Sequence, residues 1–272
     1  MRRIINYAPK SGTRVLLAAI PFLAVLVIYL LASNARLSID PADKLMPGFA
    51  SFYATMMRLA TTVDVATKQT LLWWDTWLSL ARLFTGLGIS ALLGLVLGIA
   101  IGFIPHLRAM FEPFFAALAL IPPLAVLPIL FIMFGLGELS KAVLIIFGIA
   151  PFIIRDVALQ VIAIPREQII KAQTLGASTW HMITGVVMPQ VLPRLVDSVR
   201  LSLGTAWLYV IAAEAITAEG GLGYRIFLVR RYLAMDVILP YVAWITLLAF
   251  LMDYALRKLS VAAFPWDRLK AA

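Results

Sequence analysis

The 272-residue sequence predicts an all-α polytopic membrane protein with six transmembrane helices. Three observations predict it. The composition is 62% hydrophobic and 14% charged, whereas soluble domains carry about 25% charged residues. Apolar runs recur that are long enough to cross about 30 Å of hydrocarbon. The intervals between them are polar and punctuated by glycine and proline. The net charge of +9 would point to nucleic acid in a soluble protein. In a membrane chain it reflects lysines and arginines gathered at cytoplasmic helix ends, so the partner it implies is membrane lipid and not nucleic acid. The sequence has no cysteine, which excludes disulfides, thiol catalysis and thiolate metal sites.

Residues 1–14 carry Arg2, Arg3, Lys10 and Arg14 and form a cytoplasmic N-terminal tail. Residues 15–32 hold no charge. That is longer than the apolar core of about 7–15 residues in a cleaved signal peptide, so this run is the first transmembrane helix. Residues 33–79 are mixed and extracytoplasmic, with a short amphipathic helix over 49–60. Trp73, Trp74 and Trp77 follow, and tryptophans favour the headgroup level.

Residues 80–260 form the core, with five more transmembrane helices. The second span, 80–104, repeats Gly86, Ser90, Gly94, Gly98 and Gly102 every fourth residue. On a helix these share one face, where small side chains let another backbone approach. The fragment GLGISALLG has glycines that could suggest a dinucleotide loop, but no strand precedes it. Pro105, His106 and Arg108 make a tight turn. The third span, 112–134, is interrupted by Pro122, Pro123 and Pro128. Broken backbone in a bilayer requires cover from protein or a water-filled path, so these prolines are candidates for the translocation path. Residues 135–141 form a polar turn, and 142–154 a fourth span closed by Arg155 and Asp156. The fifth span, 201–217, ends near Glu214, which reads equally as a path residue or a packing carboxylate. A loop over 218–236 holds Gly220, Gly221, Gly223, Arg225, Arg230 and Arg231. The three arginines are candidates for docking a binding protein or drawing in an anion. The sixth span covers 237–256, and 261–272 form a cytoplasmic tail.

With the N-terminus inside, 14 of the 23 lysines and arginines fall inside and nine outside. That bias places both termini and the polar interval 160–193 in the cytoplasm. Pro165 suits a helix start. Gly176 suits a helix stop, and Ser178 suits the cap of a second helix. Trp180, Ile183 and Val187 recur at helical spacing, and Pro189 and Pro193 end that helix. The product is a helical hairpin that does not span the bilayer.

This hairpin resembles the EAA loop of binding-protein-dependent ABC importer permeases. The family pattern is Glu-Ala-Ala, three residues, Gly, nine residues, Ile, any residue, Leu, Pro. Here it stands as Ile170-Lys171-Ala172, Gly176, Val186, Met188 and Pro189. The triplet is reduced to one alanine, which leaves open the polar contacts the loop makes. The runs PPLAVLPILFIMFGLGELSK, KAQTLGAS, VVMPQVLP, IAAEAITAEGGLGY and AFPW extend the resemblance over roughly residues 80–266, and resemble the nitrate/sulfonate/taurine/bicarbonate branch. The resemblance implies a type I importer permease bundle in the bacterial inner membrane. It also implies a second permease copy, two ABC ATPase subunits that bind ATP and Mg, and an extracytoplasmic binding protein. On it, Arg166, Glu167, Lys171, Ala172, Gly176, Ala177 and Ser178 couple to the ATPase, and the solute is a small anion of that branch. A small nitrogen compound such as a urea or guanidine relative is the alternative cargo.

The chain has no G-x-x-x-x-G-K-[ST] loop, so ATP hydrolysis falls to a partner and no cofactor is expected on this chain. A secondary transporter would more often place an ionisable residue mid-span. An intramembrane enzyme would need a nucleophile and base or metal ligands. Neither His106 nor His181 sits in such a motif.

Overall fold

The computed structural model describes residues 11–40, 43–64, 68–217 and 219–266. Residues 1–10 and 267–272, assigned to the cytoplasmic tails in sequence, lie outside the described residues. Among the described residues the regular secondary structure is helical, with an isolated bridge between Val63 and Thr70. The helices are α1 (Ser11–Leu37), α2 (Phe49–Thr61), α3 (Leu71–Phe103), α4 (Pro105–Leu118), α5 (Pro123–Phe134) and α6 (Glu138–Ile162). They continue as α7 (Arg166–Thr174), α8 (Thr179–Met182), α9 (Met188–Thr217), α10 (Leu222–Arg230) and α11 (Met235–Ala263). Among the described residues five stretches are long and apolar enough to span a membrane, and α4 with α5, bent by 95°, makes a sixth if the pair counts as one broken span.

The bundle is organised around α3 and α6. Cβ atoms at Gly86, Gly94, Gly98 and Gly102 would collide with Ile145, Ile153, Val157 and Val161. The glycine face of α3 therefore accepts the branched ridge of α6 at near backbone distance, which is how helices associate where water exclusion contributes little. Ser90 shares this face, is fully buried and returns its hydroxyl to the Gly86 carbonyl at 2.7 Å. Arg108 closes the far end of α3 by donating to the Gly102 carbonyl, a cation at a helix C-terminus.

Several sequence boundaries are corrected. Pro105 does not make a tight turn: it is the first residue of α4, where its missing N–H is no loss. Helix α3 starts nine residues before the expected second span, at Leu71 against 80, so Trp73, Trp74 and Trp77 lie inside it. The turn over 135–141 is shorter than expected, because Glu138 already begins α6. Arg155 and Asp156 do not close the fourth span. Helix α6 runs on to Ile162, and Asp156 accepts a hydrogen bond from Ser198 of α9. The 218–236 loop contains α10.

The largest correction concerns Pro189 and Pro193. They do not end a surface helix: Thr179–Ile216 is one continuous stretch of 38 residues. A π turn over Ile183–Val187 sets the Met188 N–H against the Ile183 carbonyl, five residues back. The wider turn accommodates Pro189. Pro193 has no N–H to give the Pro189 carbonyl; the Trp266 indole supplies one at 3.0 Å.

Candidate functional site

Three places carry polar chemistry. The first is the bundle end holding Gly220–Gly223. Glu214 of α9 is fully buried there. Its carboxylate accepts from Ser79 Oγ at 2.7 Å, Arg82 Nη1 at 2.7 Å and the Gly223 N–H at 2.8 Å. Arg82 of α3 also forks onto Glu138 of α6, Nε to Oε2 at 2.6 Å and Nη2 to Oε1 at 2.7 Å. It gives a further bond to the Gly220 carbonyl at 2.8 Å. Lys141 joins Glu138 at 2.8 Å. Beside this set, buried Asp75 accepts from Arg225 Nε at 2.9 Å, the Gly221 N–H at 3.0 Å and Tyr241 Oη at 3.3 Å. Burial alone would push the Arg225 guanidinium down, but its bond and charge contact with Asp75 reverse this, leaving its pKa raised.

The network ties α3, α6, α9, α10 and α11 together, each buried charge meeting an opposite one, as burial requires. Gly221 sits at φ +124, and a Cβ there would lie 2.5 Å from Glu214 Cδ and 2.7 Å from Arg82 Nη1. Glycine is therefore required both by conformation and by space.

Of the residues expected here, Glu214 is enclosed in packing and reaches no solvent in this conformation. Arg225 is drawn inward to Asp75, whereas Arg230 and Arg231 are exposed, Arg230 over the Phe227 ring at 5.0 Å. Asp75, Ser79, Arg82, Glu138 and Lys141 were not singled out from sequence. The available signal was Arg82 within an apolar run, since a charge inside a span needs a partner.

The second place is the hairpin at the opposite end. Gly176 lies at φ +78. Its N–H bonds to the Gln173 carbonyl at 2.9 Å and the Ala177 N–H to the Ala172 carbonyl at 3.0 Å, the Schellman arrangement. Ser178 Oγ accepts from the His181 N–H at 3.3 Å and so caps α8. Arg166, Glu167, Lys171, Gly176 and Ser178 lie on or beside this surface, with Ile170, Leu175 and Trp180 exposed. These three uncovered apolar side chains stand among charged and polar neighbours at the tip.

The third place is the break between α4 and α5. Pro122 caps α5 and Pro123 is its first residue. Pro123 lines an open cleft of about 350 Å³ with Ile121, Gly148, Pro151, Arg155 and Asp156. Pro128 lies within α5 and is exposed.

Residues 90–261 match the family described as binding-protein-dependent transport system inner membrane component. The chain is 36% identical over 195 residues to the taurine transport system permease protein TauC of Escherichia coli, covering 72% of this chain and 71% of that one. It is 34% identical over 186 residues to the bicarbonate transport system permease protein CmpB of Synechococcus elongatus, covering 67% and 66%. The fold is similar to that in inward-facing conformations of the MetNI methionine ABC transporter, with a TM-score of 0.59 and 25% identity over 70% of this chain and 95% of that one.

Proposed function

The chain belongs to the family of binding-protein-dependent transport system inner membrane components, and from that premise we propose how this ABC importer permease subunit works. Two copies form the translocation path, with two ATPase subunits on the hairpin side and a binding protein on the Gly220–Gly223 side. The hairpin side faces the cytoplasm of a bacterial inner membrane, as do both termini. ATP-driven closure of the ATPases moves the hairpin, and the bundle rocks between inward and outward openings as a rigid body. The observation that carries this reading is the exposed apolar tip of Ile170, Leu175 and Trp180 around the left-handed turn at Gly176.

The solute we propose is a small oxyanion. The taurine and bicarbonate permeases among the relatives support this, and the exposed Arg230 and Arg231 supply positive charge where such a solute would arrive.

Gly176→Val tests the coupling. Beyond its chain neighbours no atom of the permease lies within 4 Å of a Cβ built there, so within this chain the substitution acts through the left-handed backbone, which a β-branched residue resists. The variant should insert and fold yet lose ATPase stimulation and uptake in proteoliposomes containing the whole importer. Normal coupled transport would overturn the reading.

A further inference from the structure

The cleft at the α4–α5 break is lined by a cation, Arg155, that no packing explains, beside the carboxylate of Asp156. Arg155 projects from α6, is exposed, and makes no ion pair or hydrogen bond among the described residues. Helix α6 has 25 residues, so Arg155 stands roughly 10 Å inside its Ile162 end at 1.5 Å per residue. An ionisable side chain within a span-length helix marks a solute or ion route when it faces a cavity and not lipid. Arg155 faces two hollows, the 350 Å³ cleft and a smaller one that it shares with Glu112 and Phe115. Glu112 lies beyond ion-pair distance. Asp156, next in the chain, also lines the cleft, half-buried and anchored by Ser198.

The rest of the wall leaves main-chain groups free of regular helical bonding at two points. The main chain turns by 95° at 119–122, and Pro151 gives no N–H to the Phe147 carbonyl at the cleft edge. A cavity of this size accepts a molecule of a few heavy atoms. A guanidinium matches the oxygens of a sulfonate or carboxylate by paired hydrogen bonds, and an adjacent carboxylate matches an ammonium.

We propose that this cleft is a solute-binding site of the permease for small zwitterionic oxyanions, with Arg155 holding the oxyanion and Asp156 the ammonium of an aminosulfonate. The proposal rests on the oxyanion reading above and adds a place and a selectivity to it.

The test is ligand-dependent thermal stabilisation of the purified permease–ATPase complex without binding protein. The probes are taurine, ethanesulfonate (the same sulfonate without the amine) and ethylamine. The wild type should respond to taurine more strongly than to ethanesulfonate, and least to ethylamine. Arg155→Gln should weaken both sulfonates by about tenfold or more, the worth of one charge-assisted hydrogen bond, while Arg155→Lys retains part of the response. Asp156→Asn should bring taurine down to ethanesulfonate. The unliganded melting temperature of Arg155→Gln reports folding, because that side chain has no partner to lose. Unchanged sulfonate responses in Arg155→Gln, a taurine preference surviving Asp156→Asn, or no response in the wild type would each overturn the site. A wild type that responds to ethylamine and to neither sulfonate would overturn the oxyanion reading itself.

Discussion

At the scale of single residues, the buried carboxylate of Glu214 decides how the Gly220–Gly223 end holds together. Its three donors come from two helices, Ser79 and Arg82 from α3 and the Gly223 N–H from the first turn of α10. Removing its charge leaves Arg82 with Glu138 as its remaining carboxylate, and Glu138 is 62% exposed. Breaking one partner of a buried pair costs about 3 kcal/mol or more. Glu214→Gln should therefore lower the unfolding temperature in detergent markedly, and Gly221→Ala should do the same by combining a strained φ with a collision against the same carboxylate. Retained stability in both variants would remove the network's structural role. In sequence Glu214 stood out as a charge at a span end, but its partners did not. Arg82 lies 132 residues away and Ser79 lies 135 away, and local pattern carries no register over such distances. What local pattern does carry is the need for a partner, and that need was visible at Arg82 too.

At the scale of elements, the glycine face of α3 was legible because helical periodicity is local: every-fourth spacing defines a face whatever packs on it. The identity of the neighbour, the α6 ridge from Ile145 to Val161, was not. The two outcomes can be separated within one helix. A Cβ at Gly98 would stand 2.6 Å from Val157 Cγ1 and 3.0 Å from the Ile154 carbonyl, whereas at Gly88 it would meet nothing within 4 Å. Gly98→Ala should destabilise the bundle, and Gly88→Ala should be neutral or stabilise by up to about 1 kcal/mol through helix propensity. Equal effects in a thermal unfolding series would refute the close packing. The continuity of α8 with α9 was hidden for the opposite reason. Prolines are the strongest local stop signals, and at Pro189 and Pro193 the stop is overridden by a π turn and by a distant indole, Trp266. The hairpin turn at Gly176 was legible, since glycine after a helix is a local requirement that the structure meets with local bonds.

At the scale of the whole molecule, the bundle is unevenly covered. Helices α3, α6 and α9 bury their apolar side chains against one another. Helix α5 is apolar throughout, yet Ile129, Ile132 and Met133 are exposed by 54%, 85% and 68%. Helix α1 is also bare, with Phe22 at 79%, as a lipid-facing helix would be. What separates the two is position. Helix α5 borders the cleft at the broken span, and on the proposed two-copy path the face beside the cleft would meet the second subunit. The absence of cysteine makes this directly measurable, because one introduced thiol is the sole thiol on the permease chain. Under mild oxidation Ile132→Cys in the assembled importer should give a disulfide-linked permease pair at twice the monomer mass, and Phe22→Cys should stay monomeric. The reverse pattern would place the dimer contact on α1 and leave α5 to the lipid. Because α5 carries the cleft's edge, a cross-link there should also hinder rocking and slow uptake, and adding reductant should restore it.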